Sequence, residues 1–326
     1  MASFHIRLLT LVSLVFSCSA AVHINKPLDH NALERESDGS YKSRDSEHYD
    51  EGNHNADFDH EAILGSVKDA EEFDKLSPQE SKERLAELLP QMDINHNMVI
   101  ERNELQRWIL INFKKLSREE AEERLLESDD NRDGSVSWNE YLKDAFGVDD
   151  EEEVGEEDTG DIGMHVHEEK AMWVSADTNG DGVLDIDEFE VFTNPEEHEA
   201  MHPHLLNQTM REKDKNKDGY IDFEEYLGDR EDVQDREWRI SEEVKFTHSL
   251  DLDEDGRLNL EEVQQWVIPN NKHIAAEEVD HLFSSADDNR DNLLSFNEVI
   301  NHYDVFVGSD ITRYDDLLGT HLQDEL

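Results

Sequence analysis

"DTNGDGVLDIDE", Asp177 to Glu188, places an oxygen-bearing side chain at positions 1, 3, 5, 9 and 12 of a twelve-residue stretch and a glycine at position 6. A hard divalent cation takes six to eight oxygens at about 2.3–2.6 Å in flexible geometry. A loop of this length supplies them from side chains at 1, 3 and 5, a carbonyl at 7, a group at 9 that often acts through water, and a bidentate glutamate at 12. Position 6 turns with positive φ, which is open to glycine and tolerable for asparagine. The stretch reads as a calcium loop, with Asp177, Asn179, Asp181, the Val183 carbonyl, Asp185 and Glu188 as ligands and Gly182 at the turn.

The pattern recurs at a spacing of about 37 residues, with one longer interval of 48 between the second and third loops. The second loop offers Asp129, Asn131, Asp133, the Ser135 carbonyl, Ser137 and Glu140 around Gly134. The fourth offers Asp214, Asn216, Asp218, the Tyr220 carbonyl, Asp222 and Glu225 around Gly219. The fifth offers Asp251, Asp253, Asp255, the Arg257 carbonyl, Asn259 and Glu262 around Gly256. The sixth (Asp287, Asn289, Asp291, the Leu293 carbonyl, Ser295, Glu298) turns at Asn292, a mild departure.

The first loop departs further. Asp93, Asn95, Asn97, the Val99 carbonyl, Glu101 and Glu104 contain one carboxylate among positions 1, 3 and 5, and Met98 stands at the turn. Pro90 should also interrupt the helix leading into it. This loop is expected to be the weakest site. Position 8 is apolar in all six loops (Ile100, Val136, Leu184, Ile221, Leu258, Leu294), which fits the short β contact that couples two loops. Apolar residues at helical spacing flank them, such as Leu125 and Leu126 before the second loop and Trp138, Tyr141, Leu142 and Phe146 after it. These stripes read as core-packing faces.

The expected fold is all-α: six EF-hand helix-loop-helix units in three pairs, behind a disordered acidic N-terminal segment. Taken in sequential pairs, the boundaries are 76–148 (loops 93–104 and 129–140), 166–230 (loops 177–188 and 214–225) and 231–308 (loops 251–262 and 287–298). "DDEEEVGEEDTGD", Asp149 to Asp161, lies in an acidic linker at 149–165. Residues 22–75 are polar and acidic, with His23, His30, His48, His54 and His60 at no fixed spacing, and read as a disordered spacer rather than a metal site.

Across 326 residues, 83 Asp+Glu face 30 Lys+Arg, for a net charge of −53. Such a chain lacks the basic footprint of a nucleic-acid binder and favours cations. Residues 1–21 read as a secretory leader: His5 and Arg7, an apolar run from Leu8 to Phe16, then small residues to Ala21. Cys18, the single cysteine, lies within it, so the mature chain would have no disulfide. No later stretch has the length of a membrane span. The tail 309–326 ends in Gln323-Asp324-Glu325-Leu326, close to the retrieval address of soluble endoplasmic-reticulum proteins. No thiol nucleophile, glycine-rich phosphate loop or HExxH is present in the mature chain, so a binding protein is expected rather than an enzyme. Asn207-Gln208-Thr209 is the one glycosylation sequon.

Beyond the loops, "FDHEAILG" (Phe58 to Gly65), "LSPQESKERL" (Leu76 to Leu85), "NPEEHEAM" (Asn194 to Met201), "WVIP" (Trp266 to Pro269) and "YDVFVGS" (Tyr303 to Ser309) closely resemble the reticulocalbin–calumenin family along nearly the whole mature chain. The resemblance implies a low-affinity calcium binder of the secretory pathway, acting in calcium homeostasis or as a chaperone-like partner of secretory proteins. A calcium-dependent regulator of one luminal partner is the alternative. The tail departs from that family's usual His-Asp-Glu-Leu or His-Asp-Glu-Phe.

Overall fold

The computed structural model describes residues 35–307 except 37, 47, 51–52, 149–160 and 229–235. The leader 1–21, the start of the acidic segment, most of the acidic linker and the tail 309–326 lie outside the described residues. A two-residue hairpin, β1 (Tyr49–Asp50) with β2 (Asn53–His54), leads into helices α1 (Ala56–Leu64) and α2 (Val67–Phe73). The six hands follow.

Hand 1 is built from α3 (Pro78–Met92) and α4 (Arg102–Ser128), and α4 also enters hand 2, which α5 (Trp138–Phe146) leaves. Hand 3 uses α6 (Asp161–Ala176) and α7 (Ile186–Thr193), and hand 4 uses α8 (His202–Lys213) and α9 (Phe223–Leu227). Hand 5 enters through α10 (Arg236–Lys245) and one π turn, Phe246–Leu250, and leaves through α11 (Leu260–Val267). Hand 6 uses α12 (Asn271–Ala286) and α13 (Phe296–Asn301), followed by α14 (Tyr303–Phe306).

Each loop contributes a two-residue strand, and the strands couple in three antiparallel pairs. The order differs from the sequential pairing 93–104 with 129–140, 177–188 with 214–225 and 251–262 with 287–298. Instead β3 (Val99–Ile100) of loop 1 pairs with β8 (Leu294–Ser295) of loop 6. Similarly β4 (Val136–Ser137) of loop 2 pairs with β5 (Val183–Leu184) of loop 3, and β6 (Ile221–Asp222) of loop 4 with β7 (Arg257–Leu258) of loop 5. In every pair position 8 faces position 8: Ile100 with Leu294, Val136 with Leu184, Ile221 with Leu258.

The physical reason lies in α4. Its 27 residues contain neither glycine nor proline, so the exit helix of hand 1 runs unbroken into the entry helix of hand 2. At 1.5 Å per residue the two loops sit about 40 Å apart at its ends. Loop 1 cannot reach loop 2, loop 2 turns to loop 3, loop 4 to loop 5, and loop 6 returns to loop 1. The acidic insertion therefore falls inside a coupled pair rather than between two pairs. It is also shorter than 149–165, because α6 is helical from Asp161.

Two apolar cores result. One gathers loops 2 to 5 around Val136, Leu184, Ile221 and Leu258, with Trp138, Trp173, Tyr226 and Trp266. The other gathers loops 1 and 6 around Ile100 and Leu294, with Phe113, Phe283 and, from the N-terminal helices, Phe58, Ala62, Ile63 and Phe73. Helix α4 belongs to both, giving Leu105, Ile109 and Phe113 to the second core and Leu125 to the first.

The segment 22–75 is thus folded over much of its length. Composition misses this because a few apolar residues do the anchoring: full burial of Phe58 or Ile63 is worth roughly 1.5–3 kcal/mol each. The Asn112 side-chain amide and the Trp108 indole N–H donate to the last carbonyls of α1, at 2.7–2.9 Å. Gly65 ends α1 at φ +71°, where a Cβ would come within 2.6 Å of Asn112. The "FDHEAILG" stretch is the packing of α1 on α4. Pro90 does not interrupt α3, which continues through it to Met92. Lying two residues before the helix end at Met92, it forfeits one hydrogen bond, to the Ala86 carbonyl.

Candidate metal centres

All six loops have one internal hydrogen-bond scheme. The position-6 amide donates to the position-1 carboxylate, at 2.8–3.0 Å, including Met98 to Asp93 and Asn292 to Asp287. The position-9 amide donates to one oxygen of the position-12 glutamate at 2.8–3.3 Å. In the first five loops the other oxygen accepts from the position-3 amide at 3.0–3.2 Å. The glutamate straddles the loop and ties its two ends together.

Position 9 has a second role that ligand spacing does not announce. It is the N-cap of the exiting helix, with the glutamate at N3. Ser137, Asp185, Asp222, Asn259 and Ser295 each accept from the glutamate's amide while the glutamate bonds back, a reciprocal capping box. The same Glu140, Glu188, Glu225, Glu262 and Glu298 therefore start a helix and close a loop.

Position 4 is also left-handed in every loop: His96, Arg132, Gly180, Lys217, Glu254 and Arg290 have φ between +58° and +72°. With Met98 and Asn292 at position 6, the loops hold every non-glycine residue of positive φ among the described residues. Because residue type at position 4 varies freely, only the backbone reveals it. Met98 takes φ +69° at the position where four other loops have glycine, so its turn carries a cost that theirs do not.

Whether these loops suit a calcium ion is decided by burial and charge. Asp93, Glu104, Asp129, Glu188, Asp251, Glu262 and Glu298 are all buried, at 2–8 % exposure. None has a basic side chain within ion-pair distance among the described residues. A buried carboxylate without a cation is unfavourable by several kcal/mol. In loop 3 the Asp177, Asp181 and Glu188 oxygens lie within 4.8 Å of one another, as do those of Asp251, Asp253 and Asp255 in loop 5. Among the described residues only Asp255 of these six meets a counter-charge, the Arg257 Nε at 3.3 Å, and hard oxygens converging in this way suit a hard divalent cation.

Loop 1 has the same backbone but satisfies itself differently. The Asn95 and Asn97 amides donate to the Glu101 carboxylate at 3.0 and 3.2 Å, so the side chains at positions 3, 5 and 9 are paired with one another. Asn207 of the sequon is exposed on α8, while Thr209 is buried and its hydroxyl donates to the Leu205 carbonyl at 3.0 Å. No helix among the described residues is long and apolar enough to cross a membrane.

The family described as EF-hand domain pair matches residues 82–145, 170–228 and 247–303. Each match spans two hands consecutive in sequence, so the relation it captures is that of neighbours in the chain and not of strand partners. Among curated proteins, the chain is 36% identical to Reticulocalbin-2 of Mus musculus over 287 residues, covering 85% of this chain and 88% of the relative. It is 35% identical to Reticulocalbin-2 of Crotalus adamanteus over 283 residues, covering 84% and 91%.

Proposed function

We propose, because the chain belongs to the reticulocalbin–calumenin family of calcium-binding EF-hand proteins, that it is a low-affinity calcium store of the secretory-pathway lumen that also engages secretory proteins in a calcium-dependent, chaperone-like way. The observation that carries the reading is the set of buried loop carboxylates without cationic partners. In loops 2 to 6 the side chains at positions 1, 3, 5 and 12 and the carbonyl at 7 hold the ion, and loop 1 is the weakest. Bound calcium supplies the positive charge that these carboxylates lack.

Three features favour a store over a switch. Met92, Met172 and Met201 are buried in the cores, so they offer no methionine-rich groove of the kind a promiscuous sensor opens. Six acidic loops on a chain of net charge −53 repel one another without ions, which makes binding energy folding energy. The leader-like residues 1–21 and the Gln-Asp-Glu-Leu end favour the endoplasmic-reticulum lumen, where useful sites lie in the ~10⁻⁴–10⁻³ M range of extracellular modules. Asn207 is accessible there, but the burial of Thr209 means a glycan would have to be attached before α8 packs.

A calcium titration of the purified mature chain, followed by far-ultraviolet circular dichroism and binding of a hydrophobic dye, tests the reading. A large helix gain near millimolar calcium with little dye uptake supports it. A small helix change at micromolar calcium with strong dye uptake would replace the store with a regulator of one partner.

A further inference from the structure

The N-terminal hairpin carries two histidines to a place no calcium loop occupies. His48 precedes β1, His54 ends β2, Asp59 lies on α1, and His281 comes from α12 of hand 6. The His48 Nε2 is 3.0 Å from the His54 Nε2 and 2.8 Å from one Asp59 oxygen. The other Asp59 oxygen lies 3.1 Å from the His54 Nε2 and 3.4 Å from the His281 Nε2. One donor atom from each of the four residues fits within 4.8 Å of the others.

Hydrogen bonding accounts for only one contact of the cluster, that between the His48 and His54 Nε2 atoms. Asp59 is fully buried, and neither of its oxygens has a hydrogen-bond partner despite three imidazoles at short range. The His281 Nε2 is buried and unpartnered too. Three imidazole nitrogens and a carboxylate therefore converge, with only the His48 Nε2–His54 Nε2 contact in hydrogen-bond geometry. A tetrahedral ion with ligands at about 2.0–2.1 Å separates its donor atoms by about 3.3 Å; here the His48 and His54 nitrogens are 3.0 Å apart and the three imidazoles lie 2.8–3.4 Å from one or other Asp59 oxygen.

We propose that His48, His54, His281 and Asp59 form a zinc site of the closed, four-ligand structural kind, pinning the N-terminal hairpin to hand 6. Three imidazoles and one carboxylate suit zinc and not calcium, which takes oxygen ligands alone. The surroundings fit. The Tyr49 hydroxyl lies 3.3 Å from the His281 Nδ1, placed to orient that ring while its Nε2 faces the site. Glu278, buried beside Asp59 with both oxygens unpartnered, sits 3.8 Å from the His48 Nε2. Two buried carboxyls with no cation between them are unfavourable, and a divalent ion removes the conflict. No spacing rule exposes the site, because His281 lies more than two hundred residues beyond the hairpin.

The test uses the full mature chain in millimolar calcium and magnesium, so that the EF-hand loops are filled. Zinc retained after gel filtration is counted by elemental analysis, zinc affinity is measured by competition with a chelator, and cobalt(II) is added as a spectroscopic stand-in. The expected result is one zinc per chain and the intense visible bands of tetrahedral cobalt. Affinity should fall at least tenfold in His54→Gln and in His281→Gln, with no change in His167→Gln, whose histidine is exposed on α6. The His54 side chain is one-third exposed, so its variant keeps the fold, which the circular dichroism of the calcium form verifies. Absence of retained zinc, a weak octahedral cobalt spectrum, or affinity unchanged by the His54 and His281 substitutions would overturn the proposal.

Discussion

The ring of loop pairs can be tested through side chains that never touch calcium. Ile100 and Leu294 are 1 % and 0 % exposed and stand opposite each other across the β3–β8 pair. Truncating either to alanine removes buried carbons from the second core, at roughly 2–5 kcal/mol. Directly opposed residues on a two-stranded ladder have Cβ atoms about 5 Å apart, so the two losses should not add. A double-mutant cycle of Ile100→Ala and Leu294→Ala is expected to give a coupling of about 0.5–3 kcal/mol. The cycle of Ile100→Ala with Val136→Ala, residues at opposite ends of α4, should give no coupling beyond about 0.5 kcal/mol. Urea unfolding in saturating calcium, followed by circular dichroism, measures both. Coupling between Ile100 and Val136 with none between Ile100 and Leu294 would refute the ring and restore sequential pairs.

Replacing Met98 by glycine relieves a left-handed turn at φ +69° and should stabilise the calcium form by about 1 kcal/mol, seen as a higher melting temperature. The Glu262→Gln variant removes the carboxylate that both closes loop 5 and caps α11; its site should weaken at least about tenfold, or 1.4 kcal/mol, and calorimetry should register one site fewer. A third prediction concerns the strap before the hairpin. Burial alone would raise the Asp38 carboxyl, but Lys245 at 2.7 Å and two donors from Ser40 outweigh it and hold Asp38 at about 2. A depressed carboxylate stabilises the fold fully above its usual value near 3.8 and loses that contribution as pH falls toward 2. Lys245→Met should therefore cost about 1–2 kcal/mol at pH 7, allowing for the half-exposed lysine, with the gap from the parent protein shrinking below about pH 4 when the two are compared at each pH.

The parts of this architecture legible in the sequence are those set by local chemistry. Ligand spacing, the turn at position 6 and the apolar position 8 all follow from what one loop must do, and the turn and the position-8 contact reappear in the structure. The pairing order was not legible in the loops, since it depends on a helix between them: "RNELQRWILINFKKLSREEAEERLLES", Arg102 to Ser128, lacks any breaker. That signal was present and easily overlooked, because a repeat invites neighbours to be paired. The N-terminal segment misled for a different reason. Its average composition is that of a solvated chain, whereas its structure rests on a few contacts, among them Phe58 and Ile63 in the second core and Tyr41, whose amide donates to the Val267 carbonyl at 2.9 Å. The left-handed position 4 left no trace, since Arg132, Lys217 and Glu254 share no side-chain property that would mark it.

The most direct test of calcium storage is equilibrium dialysis of the mature chain against radioactive calcium, counting ions bound per chain as free calcium rises. Five or six ions per chain are expected, with half-saturation at about 10⁻⁴–10⁻³ M and loop 1 filling last. Saturation at one or two ions with micromolar affinity would contradict the account, because most of the carboxylates buried in loops 1, 2, 3, 5 and 6 would then have no cation to answer their charge.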